Sequence, residues 1–240
     1  MEEKFSLILT TYNDANVLKN SLQEIIDFFK IIRINYEIII VDDGSDTENK
    51  SILNKLEKEH SNFIFYYFSE NLGRGSAVKQ GIRLSSGEYA GFIDNDLEIP
   101  IHYVLPLLLI LNTQNLDMII ANRIYKMELK NLIRYFFTSG YHMLVNFMLK
   151  LPGYDTESGL KIFRRKTILP ILEFTPNNRW FWDTEIVFQS YLKKLKIGEY
   201  PIALHKKYDI PSSVSFFKDI IEYSINLIKL WKKRKEYEKN

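Results

Sequence analysis

Short apolar runs alternate with helical patterns through the first half of this chain, and that alternation restricts the fold more than any other feature. Phe5–Leu9, Glu37–Val41, Phe63–Phe68, Tyr89–Ile93 and Met118–Ala121 read as strands, with helices over Asn16–Ile31, Lys50–Glu59 and Ser76–Leu84 between them. Such a pattern predicts an α/β fold, a mostly parallel central sheet flanked by helices. Ligands of these sheets bind beyond the carboxyl ends of the strands. The residues after each apolar run therefore carry the functional information.

Four of those strand ends are polar, and the fold would gather them at one edge. They are Thr10-Thr11-Tyr12-Asn13-Asp14, Asp42-Asp43-Gly44-Ser45, Asn71-Leu72-Gly73-Arg74-Gly75 and Asp94-Asn95-Asp96. Asp94 and Asp96 are two apart on extended chain, so their carboxylates share a face. One or two carboxylates together with substrate phosphates are the usual seat of Mg2+ or Mn2+; a surface turn is the alternative reading. Asp42 and Asp43 repel each other unless a cation, a base or a sugar hydroxyl lies near. A receiver domain also places acids here, but its lysine after the fifth strand has no match around Ala121-Asn122-Arg123. Gly73 and Gly75 allow close backbone approach to a ligand, with Arg74 in reach of a phosphate; a loop and helix cap is the plainer reading. A dinucleotide-binding turn would put glycines after the first strand. None is there, which disfavours a nicotinamide dehydrogenase.

The second half is less regular. Leu132–Leu149 reads as a helix, and Asp155–Arg165 as a turn followed by a short apolar stretch. Asp155-Thr156-Glu157-Ser158-Gly159 and Trp182-Asp183-Thr184-Glu185 are either helix N-caps or parts of a pocket. Thr184 suits a cap, whereas Asp183 and Glu185 beside Trp180, Phe181 and Trp182 suit an acceptor or sugar pocket. Arg123 and Arg134 are surface cations or bidentate phosphate ligands. Phe216–Trp231 is an amphipathic to strongly apolar helix, followed by the basic run Lys232-Lys233-Arg234-Lys235. It either packs on the rest of the chain or lies on a membrane, where each basic residue adds about 1 kcal/mol on anionic lipid.

Composition removes several classes. A net charge of +2 over 240 residues gives no field that would attract nucleic acid, and the lack of cysteine excludes disulfides and thiolate metal sites. His60, His102, His142 and His205 have no ligand spacing. Met1-Glu2-Glu3-Lys4 lacks the shape of a signal peptide, and no stretch reads as a spanning helix: Ile101–Leu111 is short, while Arg134, His142 and Asn146 interrupt Leu132–Leu151. The chain is expected to be soluble or to lie at a membrane surface.

In their order, residues 5 to 215 resemble the inverting GT-A glycosyltransferases of family two, and within them the dolichyl- or polyprenyl-phosphate hexose synthases. The resemblance rests on Leu9–Asp14, Val41–Asp46, Asn71–Ala77, Ser86–Tyr89, Asp94–Asp96 and Asp155–Arg164. It implies a GT-A catalytic domain over 1–215, with a nucleotide-binding half at 1–122 and an acceptor-binding half at 123–215, then the helix and tail of 216–240. Thr11, Tyr12, Asp14, Asp42, Asp43, Gly73, Arg74, Asp94 and Asn95 would bind the nucleotide-sugar, of GDP-mannose or UDP-glucose type. Asp94 and Asp96 would hold Mg2+ or Mn2+. Arg123 and Arg134 would face phosphates, and Ser139, Lys161 and Glu185 the acceptor. A lipid-phosphate acceptor is already an anion and needs no base. A hydroxyl of a glycan or glycolipid would need one, with Asp183 the first candidate and Asp155 the second. A non-catalytic nucleotide-sugar-binding subunit is a further reading. The same resemblance implies work at the cytoplasmic face of a membrane, with peripheral contact through the C-terminal helix, an anchoring partner subunit or a homo-oligomer. Thr10 replaces the family's usual Pro, Asp14 its Glu, and Leu160 and Lys161 its Phe and Arg.

Overall fold

The computed structural model describes the backbone of residues 4–124, 132–205 and 216–237, and the side chains of 4–124, 140–205 and 222–234. The expected strands appear as β1 (Phe5–Thr11), β2 (Tyr36–Asp42), β3 (Ile64–Tyr67), β4 (Tyr89–Ile93) and β5 (Met118–Ile124). The helices between them are α1 (Ala15–Ile32), α2 (Thr47–Glu59) and α3 (Arg74–Leu84), with α4 (Val104–Thr113) ahead of β5. Helix α2 starts three residues earlier than its apolar pattern because Asp46 caps it, accepting from the Asn49 amide at 2.9 Å. Helix α5 (Leu132–Leu149), β6 (Leu160–Arg164), the single turn α6 (Arg165–Ile168), α7 (Trp182–Leu192), β7 (Ile197–Ala203) and α8 (Phe216–Tyr237) complete the described elements.

The strands form one sheet in the order β3-β2-β1-β4-β6-β5-β7. Among the described strands only β6 runs against its neighbours, antiparallel to both β4 and β5. The carboxyl ends of β1, β2, β4 and β5 thus meet the start of β6 at one edge, which brings the 155–159 turn to the strand ends.

Strand β1 shows why the sheet is covered twice. Leu7 and Leu9 point into a core with Leu18, Leu22, Ile25 and Phe29 of α1, while Ile8 points into the opposite core with Val78, Ile82 and Ile186. A strand buried on both faces reads as a near-continuous apolar run, and Phe-Ser-Leu-Ile-Leu is such a run with one polar residue, Ser6, whose hydroxyl donates to Glu37 at 2.6 Å.

A third cluster joins α5, α7 and α8 through Val145, Leu149, Phe181, Phe188, Leu227 and Leu230. The expected basic tail is corrected here. Helix α8 continues through Lys232 and Lys233, and Arg234 turns inward, donating from Nη1 to the Met148 carbonyl.

Candidate functional site

The first two strand ends are knitted together by side chains. Asp14 accepts from the Thr11 hydroxyl at 2.5 Å, from the Tyr12 amide at 3.0 Å and from the Asn95 side-chain amide at 3.1 Å. Two further bonds join the loops: the Asn13 amide donates to the Ser45 hydroxyl oxygen, and Asn13 Oδ1 accepts the Asp46 amide. Tyr12 is left exposed above this floor. Asp42 is buried, and its carboxylate caps the Ser45 amide at 3.2 Å.

Asp43 differs from its expected role in nucleotide binding. Both of its oxygens accept bonds from the Leu72 and Gly73 amides and the Asn71 side chain, at 2.8 to 3.1 Å. Burial raises its carboxyl despite those amides. It holds the 71–73 loop rather than facing a ligand. The glycines of that loop are also explained by protein packing. Gly73 has φ +101°, and a Cβ there would meet the Asn178 carbonyl oxygen at 2.4 Å; one on Gly75 would meet Trp182 Cβ at 2.6 Å. The close approach is to the 176–182 segment.

Arg74 is the hub of the site. Its guanidinium donates from Nε and Nη2 to Asp94 Oδ1 at 3.1 and 2.6 Å, and from Nη1 to Asp183 Oδ2 at 2.5 Å. The Phe92 and Trp180 rings lie 5.0 and 4.9 Å from its central carbon. Burial alone would lower its proton affinity, but Asp183 and Asp94 reverse that and drive it upward. Asp183 meets a second cation, the fully buried Lys161, whose Nζ donates to Oδ1 at 2.7 Å and to the Ser158 carbonyl at 2.8 Å. Burial holds the Lys161 amine below the ordinary lysine range in spite of Asp183. Lys161 was expected at the acceptor; with no exposed surface, it acts only through Asp183.

Arg123 and Asp155 form a second closed pair. Arg123 donates from Nε and Nη2 at 2.8 Å each and from its backbone amide at 3.1 Å. Burial would raise the Asp155 carboxyl, but Arg123 outweighs it and the net shift is downward. A carboxylate held in this way is a poor proton acceptor. Asp155 therefore fits the orientation of Arg123 better than its expected role as an alternative base. Glu199 of β7 accepts the Asp155 amide at 2.7 Å. Glu157 lies between the two ion-pair systems. Loss of solvent, then repulsion by Asp155 and Asp183, outweigh Arg123 and Lys161 and lift its carboxyl to about 7. In the sequence Glu157 stands out only as part of the 155–159 motif, because one of the two acids that set its state, Asp183, is distant in the chain.

Other expectations resolve into structure. Helix α7 starts at Trp182, so Thr184 is not its cap; its hydroxyl lies 3.0 Å from that of Thr156. Trp182 and Phe181 are core residues, leaving Trp180 as the exposed aromatic of that group. Glu185 accepts the Asn177 amide at 2.7 Å, which makes it a holder of the 175–178 loop rather than an acceptor contact. Lys79, which carries no motif in the sequence, is buried beneath the same loop and donates to Thr175 O, Asn177 O and Asn178 Oδ1 at 2.8 to 3.1 Å. The side chains of Arg134 and Ser139 lie outside the described residues.

Asp94 and Asp96 suit a hard divalent cation. The Asp94 side chain is 39% exposed despite its bonds to Arg74. Its Oδ2 occupies the space over Gly159 that a Cβ would fill, 2.0 Å from the position such an atom would take. Asp96 Oδ1 accepts the Glu98 amide at 3.0 Å. Among the described residues no cluster of three or more His, Asp or Glu is placed to hold a metal alone. Phosphate and water oxygens would complete such a coordination shell, as is usual for Mg2+.

Comparison with known proteins follows the same lines. Residues 6–169 match the family model described as Glycosyl transferase family 2. Glycosyltransferase AglD of Haloferax volcanii is 23% identical over 230 residues, and the match spans 94% of this chain but only 36% of that protein. Dolichyl-phosphate beta-glucosyltransferase of Dictyostelium discoideum is 28% identical over 252 residues, 95% of this chain and 76% of that one. A crystal structure of Mycobacterium tuberculosis glucosyl-3-phosphoglycerate synthase with Mn2+, UDP-glucose and phosphoglyceric acid aligns with a TM-score of 0.69 at 16% identity, over 97% of this chain and 79% of that one. At that identity the likeness is one of fold.

Proposed function

The chain belongs to glycosyl transferase family 2, and from that premise we propose that it moves a hexose from a nucleotide-sugar to a polyprenyl or dolichyl phosphate. Glucose is the favoured sugar, because the Dictyostelium relative is named for it. The observation that carries the reading is the span of Arg74. One guanidinium joins Asp94, the proposed donor-side carboxylate, to Asp183, at the head of α7, which this reading gives to the acceptor.

In this reading Thr11, Tyr12, Asp14 and Asp42 cradle the base and ribose at the ends of β1 and β2. Asp94 and Asp96 hold Mg2+ or Mn2+, which supplies charge neutralisation for the departing diphosphate. Arg123, fixed by Asp155, and Arg134 position the acceptor phosphate. An acceptor oxygen forms the new bond to the anomeric carbon as the bond to the diphosphate oxygen breaks on the opposite face, so configuration inverts. No proton need be removed from an ionised phosphate.

The test is Asp96→Ala, followed by calorimetry with UDP or GDP and Mn2+. We expect nucleotide affinity to fall at least about tenfold, the loss of roughly 1.4 kcal/mol, and to become independent of Mn2+. Undiminished metal-dependent binding sinks the site.

A hydroxyl acceptor is the second reading, and the state of Glu157 is what favours it, since a carboxyl near 7 is matched to general-base work. The sign of the pH profile separates the two. Glu157 ionises as pH rises from 6 to 8. Its new charge repels an acceptor phosphate, so with a lipid-phosphate acceptor kcat/KM for that acceptor declines across the window. With a hydroxyl acceptor the same ionisation creates the base and kcat/KM climbs. Glu157→Gln removes the limb in either case, and the limb that disappears is read against the phosphate's own titration. A profile unaltered by Glu157→Gln removes Glu157 from both readings.

A further inference from the structure

Helix α3 carries two inward cations with different tasks. Arg74 opens the helix and reaches the carboxylates of the site. Lys79 lies in the next turn, and its side chain runs beneath the 175–178 loop with the residue only 7% exposed. An ionised amine out of water is costly unless it is paired and hydrogen-bonded, and packing alone would be served by an apolar side chain. What the ammonium adds is direction. Its Nζ donates to Thr175 O at 3.0 Å, Asn177 O at 3.1 Å and Asn178 Oδ1 at 2.8 Å, which uses all three of its hydrogens. Burial lowers the Lys79 amine, and Glu185 offsets this only in part.

The same loop is pinned from two further sides. The Ser76 amide donates to the Asn178 carbonyl at 3.0 Å, and the Glu185 carboxylate accepts the Asn177 amide at 2.7 Å. Ser76 is three residues before Lys79, so both belong to one face of α3. Two residues beyond Asn178 the chain sets the Trp180 ring 4.9 Å from the guanidinium carbon of Arg74. It then enters α7, where Asp183 takes the same guanidinium. Trp180 is 41% exposed. A ring so exposed is held less by its own burial than by the backbone that delivers it.

We infer that Lys79 is a positioning residue for sugar transfer: by fixing the 175–178 loop it seats Trp180 on Arg74, and so keeps Arg74 between Asp94 and Asp183. The inference deepens the proposed function and rests on it for the effect on transfer, whereas the seating of the ring is a separate measurement. Asp94 and Asp96 are not on the loop. Loss of Lys79 therefore leaves metal and nucleotide binding in place and loosens the group that aligns donor with acceptor. The deficit falls on kcat rather than on KM for the nucleotide-sugar.

The experiment compares Lys79→Met, Trp180→Ala and the double variant with the wild type in transfer from UDP-glucose or GDP-mannose to a polyprenyl phosphate, below the melting transition of each. Each single variant should lose at least about tenfold in kcat, within the roughly hundredfold that a misplaced group away from the chemistry costs. KM for the nucleotide-sugar should stay within about twofold, the mark of an interaction made in the transition state. The double variant should lose no more than the larger single loss, because residues that act through one contact are not additive. The emission removed by Trp180→Phe, in the wild type and in Lys79→Met, isolates that ring, and its quenching by acrylamide should rise once Lys79 is gone. Full kcat in Trp180→Ala overturns the inference, and this change of an exposed side chain tests the route even where Lys79→Met does not fold. Losses that multiply in the double variant overturn it as well, since Lys79 then acts independently of Trp180. A raised KM with unchanged kcat in Trp180→Ala makes that ring a donor contact and likewise overturns it. A wild type that transfers no hexose to the lipid phosphate counts against the acceptor reading. The quenching comparison then stands by itself, and equal quenching with and without Lys79 overturns the seating.

Discussion

Replacing Asp183 with alanine is expected to cost about 3–5 kcal/mol of stability, because it leaves a buried cation without its counter-charge. Lys161 has no exposed surface, and its ammonium otherwise meets only the Ser158 carbonyl and the Phe92 ring. Arg74 loses one carboxylate but keeps Asp94. Sugar transfer should fall by at least about a hundredfold, the lower range for a group that acts on the reacting atoms or positions those that do. Stability and catalysis can be separated. Asp183→Leu with Lys161→Met removes both buried charges, and apolar replacement of a buried pair is often neutral in stability. Urea denaturation should therefore show recovery in the double variant, while transfer stays lost because Arg74 no longer has its acceptor-side anchor. If the apolar pair restores transfer along with stability, Asp183 is a core residue with no part in the site. If Asp183→Ala melts like wild type, the buried network has been misread.

That network also marks where the sequence stops being informative. Strand β1 is readable because four of its first five residues are apolar and lie between two helical layers. The site edge was readable because turn residues and carboxylates follow β1, β2 and β4 directly in the chain. The resemblance implies an acceptor role for Lys161, in the slot of the family's Arg, yet its carboxylate partner Asp183 is 22 residues away. Asp43 looked like half of a ligand-binding doublet until the amides of Leu72 and Gly73 were found on it, from a loop about 30 positions on. Lys79 carried no signal, since a lysine in a helical pattern reads as solvated; its three acceptors come from a loop 96 to 99 residues later. Thr184 was read from local cap chemistry, and a hydroxyl 28 positions away claimed it. In each case the error is the same in kind. Local pattern identifies which residues are polar and near an edge, whereas long-range packing decides which of them still face a ligand.

Gly159 offers the sharpest test of the donor side. It is not in the left-handed region, so an alanine there carries no backbone penalty of that origin. The constraint is contact: a Cβ would lie 2.0 Å from Asp94 Oδ2 and 2.8 Å from Asp94 Cγ. Asp94 must then swing away, and its partial exposure gives it room to do so. The movement sacrifices its bonds to Arg74, a loss of about 1–2 kcal/mol for charged hydrogen bonds near the surface. If the proposed donor site is right, its effect on donor binding should be larger, since Asp94, proposed to hold the metal with Asp96, is displaced. We expect Gly159→Ala to weaken Mn2+-dependent UDP or GDP binding at least about thirtyfold, roughly 2 kcal/mol, while the melting transition stays cooperative. Gly140→Ala is the matching control. It sits on α5 with nothing within 4 Å of its added methyl, and alanine in a helix is about 1 kcal/mol better than glycine. That variant should keep full nucleotide binding and melt at the same temperature or higher. Should Gly159→Ala bind nucleotide with Mn2+ as tightly as Gly140→Ala does, Asp94 is not part of the donor site, whatever its place beside Asp96 in the sequence.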